Sequence, residues 1–503
     1  MLPLVVIAVV VAVRAGYFVP RFDYAIQELA VQESSRAQRL LGPYSRFGFN
    51  HPGPLLFYVN VPAYLVLGKN AGLSLILTRL VVDTACIVMV LVLIDRIGRR
   101  TAAWGAAVGI VFFELRAGLE WFRDPWNPYV VVLPIVLALV AGAALIDGPT
   151  GRRWRAIVLV IAGSFAVQSH IGTAPLVALA LLLGVVGVVR SGWKPGTRAP
   201  ALVDSAIALG VGLVCWSLPI WEQLTETGNL RAVVSFATSS GETPSLGTVV
   251  HPVALAVALG AGHLGNLFGP QPLADVPRAG PLTWTALVVV LVASTAYAVW
   301  SWRRARPGLA ALAACVPLAA LVLLVATTRI KGSVEPYLFA VGLAVGMLAW
   351  TVLGAGLGEL VERVLQRRRA RALLAGAVVV LGVSALAVSG RAFDPPSESF
   401  GSPRIAELRD GIDAICATDR PVQLVGGATD WFYIVEVGAA LRECVPEVRF
   451  EPALELLVGP RLVEPSPAHD VLTVRLERAG VELEPGWRRV ASTADIALDV
   501  ERP

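Results

Sequence analysis

The carboxylate of Asp23 stands a few residues beyond the first long apolar run of the chain, in RFDYAIQELAVQ. An acid so placed can take a proton from an acceptor hydroxyl, with geometry deciding before pKa. It can equally cap a helix or rest in solvent. A second acid, Asp124, lies in EWFRDPWNP (120–128), flanked by Trp121, Phe122 and Trp126. Aromatic faces beside carboxylates suit sugar rings, and they also suit an interfacial aromatic belt. Arg329 and Lys331, in TRIKGSVE (328–335), place two cations just ahead of Pro336 and Tyr337. They can hold the phosphate of a membrane-embedded lipid or anchor ordinary headgroups. Tyr337 is grouped with them as a binding candidate. Inside an apolar run, Arg79 and Asp83 are four residues apart, a spacing that pairs them on one helix face. Arg79, nearer the outer end, is a further candidate for lining a site.

What the sequence lacks is also informative. None of the five histidines, at 51, 170, 251, 263 and 469, has a local zinc spacing such as HExxH. There is no GxxxxGKS loop and no dinucleotide fingerprint, which disfavours an ATP-driven pump.

The elements that must carry these residues are membrane helices. Of the 503 residues, 56% are hydrophobic and only 16% charged. A soluble domain is nearer 45–50% apolar and about 25% charged. The composition predicts a mainly α, polytopic membrane protein and excludes disorder, collagen and coiled coil; it gives no nucleic-acid signal. Long apolar runs lie at 2–20, 71–94, 101–119, 129–146, 156–169, 172–189, 201–221, 282–302, 308–327, 336–358 and 372–390, with two ambiguous runs at 54–68 and 249–268.

Charge resolves the ambiguity. Five short loops, 95–100, 147–155, 190–198, 301–306 and 362–371, hold 17 Lys and Arg against three acids. Cytoplasmic loops are enriched in such cations, and all five lie inside only if neither ambiguous run crosses. Pro54, Asn60 and Pro62 weaken the first of those runs, and His251, His263 and Asn266 weaken the second. Both read as interfacial or re-entrant helices on the outer face. The expectation is about 11 spans in a plasma membrane, with the N-terminus cytoplasmic.

The net charge of +5 divides unevenly. Residues 1–390 carry 30 Lys and Arg against 17 acids, and residues 391–503 carry 12 against 20. The reading is a membrane domain, 1–390, followed by a small acidic α/β domain, 391–503, on the extracytoplasmic side. Cys416 and Cys444 are the only cysteines of that tail. Outside the cell they can form a disulfide, although spacing alone leaves the pairing open.

A first span, an outer loop opening with an acid, the segment HPGPLLFY at 51–58 and a helix carrying TRL at 78–80 together resemble the GT-C superfamily of membrane glycosyltransferases. The layout is similar to that of the protein O-mannosyltransferases and the lipid A aminoarabinose transferases. The resemblance covers the membrane domain in layout, but in sequence it is limited to short motifs. HPGP departs from an HPP-like motif by one glycine, and the acid stands in FDY, not in an acidic pair. The resemblance implies transfer of a sugar from a polyprenyl-phosphate carrier to an acceptor hydroxyl on a glycan, lipid or protein, on the outer face and usually with inversion. It implies that Asp23 is the base or orients the acceptor, that Asp124 contacts sugar or acceptor, that His51 shapes the site, and that Arg329 and Lys331 meet the carrier phosphate. Some members use a divalent metal; without a DxD in the first loop, none is expected to be obligatory here. A transporter or lipid flippase, or a non-catalytic envelope-assembly protein, remains the alternative reading.

Overall fold

In the computed structural model, residues 2–14, 16, 18–192, 196–226, 228–258, 276–427, 430–465 and 470–501 are described. His263 and Asn266, with the rest of run 249–268 beyond 258, lie outside these residues, as do Lys194 and His469.

The described chain is mostly helical. Eight helical segments are long and apolar enough to cross a membrane: Ala71–Ile97, Asn127–Leu145, Ile171–Gly192, Arg198–Thr225, Pro281–Arg303, Pro307–Thr327, Pro336–Val364 and Arg367–Val388. The other three expected spans are also helices: α1 (Leu2–Arg14, 13 residues), α5 (Arg100–Ala117, 18 residues) and Arg152–Ser169 (18 residues). The two ambiguous runs contain short helices. Of these, α3 (Leu55–Val66) has 12 residues and a proline inside it. At 1.5 Å per residue it is about 18 Å long, well short of a hydrocarbon core of about 30 Å. The second, Leu246–Ala258, has 13 residues and also an internal proline. This is a multi-pass membrane architecture.

The chain separates into two compact units. The first comprises 1–9, 51–55 and 79–393. Its helices approach closely where glycines face each other. Gly105 and Gly109 of α5 lie against the backbone of Gly354 and Trp350, and Gly358 lies against the backbone at Thr101. Both helices thus present small residues four apart, the pattern that lets apolar helices pack in lipid by backbone contact.

Prolines in the spans free carbonyls that must find other donors. Pro219, inside Arg198–Thr225, has no N–H for the carbonyl four residues earlier. That carbonyl, Cys215 O, accepts instead from Gln168 Nε2 at 2.7 Å.

The second unit comprises 10–50, 56–78 and 394–503. It is therefore larger than the acidic tail, because it includes most of the first polar loop. Its sheet runs β4 (Val448–Phe450), β3 (Val422–Gly426), β5 (Leu472–Arg478), β7 (Ile496–Glu501), β6 (Trp487–Ser492). The pairs β3–β4 and β3–β5 are parallel, while β5–β7 and β6–β7 are antiparallel. Helix α2 (Asp23–Ser35) packs Ala25, Ile26 and Leu29 into the same core as Leu424, Val435 and Val474. A disulfide joins Cys416 to Cys444, closing a separation of 28 residues.

Candidate functional site

The candidate residues fall into two groups, one in each unit. In the second unit, Asp23 is the first residue of α2, where the helix dipole favours a negative charge. Phe22, not Asp23, occupies the capping position, and it makes no side-chain cap. Tyr44 Oη donates to Asp23 Oδ1 at 2.6 Å. Tyr44 is held by a short hairpin, β1 (Tyr44–Ser45) against β2 (Phe49–Asn50), with Tyr44 opposite Asn50. The hydroxyl fixes one carboxylate oxygen.

The backbone before Asp23 is strained. Phe22 has φ 49 and ψ −129, a left-handed conformation that costs a bulky residue on the order of 1–3 kcal/mol. Its neighbours fix it. Arg21 N–H donates to Phe400 O at 2.9 Å, and Ser402 N–H donates to Val19 O at 2.9 Å. Phe22 N–H donates to Glu436 Oε1 at 2.8 Å. The ring of Phe22 meets that of Phe432 edge-on, with centroids 4.9 Å apart.

In the first unit, the His51 and His170 rings meet at an interplanar angle of 39° with centroids 4.7 Å apart, and both are 5% exposed. Ile171 N–H donates to His51 Nδ1 at 3.2 Å, which puts the proton of a neutral His51 on Nε2. Burial, and then the neighbouring His170, hold His51 well below the usual imidazole range; burial alone lowers His170 to about 4. Both rings are therefore neutral at pH 7. Asn229 Nδ2 donates to the His51 carbonyl at 3.5 Å, and its N–H is accepted by both Glu222 oxygens, at 3.2 and 3.1 Å. The glycine of HPGP has a steric reason. A Cβ at Gly53 would run into the Gln168 amide and come within 2.5 Å of Pro219 Cγ.

Arg79 and Asp83 form a buried pair, Nε to Oδ2 at 2.6 Å, with side chains 1% and 0% exposed. The Arg79 guanidinium lies 5.1 Å from the Trp121 ring centroid. Its two terminal nitrogens are buried and have no hydrogen-bond partner among the described residues. The aromatic series continues. Trp121 meets Tyr129 at 5.6 Å, Tyr129 meets Trp126 at 5.4 Å, and Trp126 meets Tyr337 at 5.2 Å. Asp124 accepts the Trp126 N–H at 2.9 Å. Asn127 Nδ2 donates to Ser169 O at 3.2 Å, tying this loop to the turn that carries His170. Arg79, Asp124, Tyr337 and His51 therefore belong to one connected cluster.

The two late cations differ. Arg329 is exposed, and its side chain has no partner among the described residues. The Lys331 ammonium is engaged by the carbonyls of Phe236, Ala237 and Ser239. It caps the C-terminal end of the helix Asn229–Thr238, where a cation offsets the helix dipole.

Tyr44, Arg123 and Glu436 are among the residues of this description that were not singled out in the sequence. Tyr44 has no periodic signal. Arg123, 2% exposed, donates to Ala392 O at 3.0 Å and anchors the loop of Asp124. Glu436 is the one acid in the apolar helix Trp431–Leu441, and that isolation is the signal that could have found it. Among the described residues no three His, Cys, Asp or Glu side chains gather as a metal-holding group.

No protein-family model matches the sequence, and no curated protein does. Solved structures do. ArnT from Cupriavidus metallidurans bound to undecaprenyl phosphate superposes with a TM-score of 0.59 at 14% identity, over 99% of this chain and 96% of ArnT. ArnT in the apo state gives 0.56 at 14% identity, over 99% and 97%. The oligosaccharyltransferase AglB from Archaeoglobus fulgidus, in complex with an inhibitory peptide and a dolichol-phosphate, gives 0.44 at 13% identity, over 87% and 63%. The chain shares the fold of ArnT along nearly its whole length.

Proposed function

We propose that this chain is a membrane glycosyltransferase that moves a hexosyl or pentosyl group from a polyprenyl-phosphate carrier to an acceptor hydroxyl on the outer face. The observation that carries the reading is the end-to-end likeness to ArnT, whose structure holds undecaprenyl phosphate. In this reading Asp23, steadied by Tyr44, takes the acceptor proton. The acceptor oxygen forms a bond to the anomeric carbon as the bond to the phosphate oxygen breaks, and polyprenyl phosphate leaves with the electron pair. One displacement inverts the anomeric centre and needs no enzyme nucleophile. Arg79 and Arg329 offer guanidinium donors for the phosphate as negative charge grows there. Asp124 and Tyr337, beside Trp126, offer sugar-binding groups. His51, neutral and packed on His170, shapes the wall, and Lys331 orders the loop that carries Arg329. The displacement as written uses no metal. The acceptor is a glycan, lipid or protein.

The same reading places the basic loops and the N-terminus in the cytoplasm, and residues 391–503 outside the plasma membrane, where the Cys416–Cys444 disulfide suits an oxidising compartment. Residues 1–390 then form the membrane domain. The test is Asp23→Asn, assayed with a panel of radiolabelled undecaprenyl-phosphate hexoses and pentoses. Loss of a general base lowers turnover by about 10²–10⁴-fold. Wild-type turnover in a folded Asp23→Asn protein sinks the proposed role.

A further inference from the structure

We infer that Glu436 is a positioning residue for this reaction, holding the Phe22 peptide in its left-handed conformation and so aiming Asp23. The inference rests on the glycosyl-transfer reading of Asp23. Glu436 is 2% exposed and lies at the middle of an otherwise apolar helix. An acid there is costly unless its oxygens are satisfied. Both are used. Oε1 accepts the Phe22 N–H at 2.8 Å, and Oε2 accepts the Ser402 hydroxyl at 2.5 Å. Ser402 in turn receives Ile405 N–H at 3.3 Å, as the cap of the helix Pro403–Glu407.

The strain at Phe22 gives this contact its purpose. Left-handed φ in an aromatic residue persists only where its surroundings over-determine it. Here the chain before Phe22 is bound through Arg21 N–H to Phe400 O at 2.9 Å, and Arg21 Nη2 donates to Ser399 O at 3.0 Å. The chain after it enters α2 at once, with Ala25 N–H donating to Phe22 O at 2.9 Å. Glu436 grips the peptide between these two fixed segments, and Phe432, one turn earlier on its helix, seats the ring. Release of the Phe22 N–H lets φ return to negative values. The Cα–Cβ direction of Asp23 then turns, and the 2.6 Å contact with Tyr44 is lost. The residue nearest the proposed chemistry is thus aimed by a side chain more than 400 positions later in the sequence.

The full-length protein in proteoliposomes is assayed with whichever radiolabelled undecaprenyl-phosphate sugar supports wild-type transfer, alongside amide hydrogen exchange. Glu436→Ala is expected to lower kcat roughly 100-fold, the scale of a misplaced catalytic group, with KM for the donor unchanged. Exchange protection is lost at Phe22 and kept in the sheet. Glu436→Gln keeps an acceptor for Phe22 and is expected to restore both kcat and protection. Wild-type kcat in Glu436→Ala overturns the inference, as does a Glu436→Gln protein that protects Phe22 yet loses kcat. Should Glu436→Ala fail to fold, Glu436→Asp decides: one methylene shorter, it is expected to lose kcat with KM unchanged, and wild-type kcat overturns the inference. Asp23→Asn separates the two claims. Activity in that variant sinks the reading of Asp23, whereas loss there without loss in Glu436→Ala sinks only the role of Glu436.

Discussion

Gly53→Ala adds a single methyl group to HPGP, and the structure says where it goes. The new Cβ meets the Gln168 amide and lies 2.5 Å from Pro219 Cγ. Neither neighbour yields cheaply. Pro219 is locked inside its helix, and fully buried Gln168 supplies the donor that Pro219 denies to Cys215 O. Moving Gln168 leaves that carbonyl unpaired, at about 1–3 kcal/mol. Keeping Gln168 in place forces strain of about 1–3 kcal/mol. Alanine returns about 0.4–1 kcal/mol by stiffening the unfolded chain. The net expectation is a loss of about 0.5–2 kcal/mol. Gln168→Ala alone also destabilises, but it removes the Gln168 part of the obstruction and leaves only Pro219 in the way. The double variant should therefore be less damaged than the sum of the two, by about 1–2 kcal/mol. Thermal unfolding in one detergent at one scan rate gives the ranking, since heating such proteins is often irreversible. Wild-type stability in Gly53→Ala, or simple additivity with Gln168→Ala, refutes the steric account of this motif.

Other expectations are as direct. Replacing Cys416 and Cys444 by alanine opens a loop of 28 residues, which on chain-entropy grounds costs about 3–4 kcal/mol; a melting temperature unmoved by reductant and by the variant contradicts it. His170, lowered to about 4 when folded, takes up a proton more readily unfolded, so its contribution to stability is present above about 6.5 and is lost as pH falls toward 4. His170→Gln should flatten the pH dependence of unfolding in that window, and an unchanged slope rejects the neutral pair. Lys331→Met should loosen the end of the helix Asn229–Thr238, costing about 0.3–1 kcal/mol, and should raise amide exchange just after residue 238; weaker undecaprenyl-phosphate binding with unchanged exchange would give Lys331 to the carrier instead.

Local rules made much of this legible. Apolar runs located the long helices, because crossing a bilayer demands length and hydrophobicity that few other structures need. The spacing of Arg79 and Asp83 pointed to a pair, and one forms. The apolar spacing of RIAELRDGIDAIC is that of a helix and the alternation in DVLTVRLERAG that of a strand, and the structure has helices to Cys416 and a strand at Leu472–Arg478. Long-range contacts were not legible. Nothing local to GPYS marks Tyr44 as the partner of Asp23, and the first polar loop carries no sign that α2 joins the core of a sheet built from residues beyond 420. The apolar character of WFYIVEVGAAL suits either a strand or a helix, and packing against α2 and the sheet settles it as a helix. At Lys331 the sequence shows the charge, but not the carbonyls of Phe236, Ala237 and Ser239 that surround it.

The central claim is chemical, so the most direct measurement follows the label. Purified protein in sealed vesicles is given radiolabelled undecaprenyl-phosphate sugars and a crude envelope acceptor fraction. The account predicts a covalent product with the anomeric configuration inverted relative to the donor, formed by the wild type and lost in Asp23→Asn. Label that crosses the membrane still attached to its carrier, with no product formed, contradicts it and supports transport.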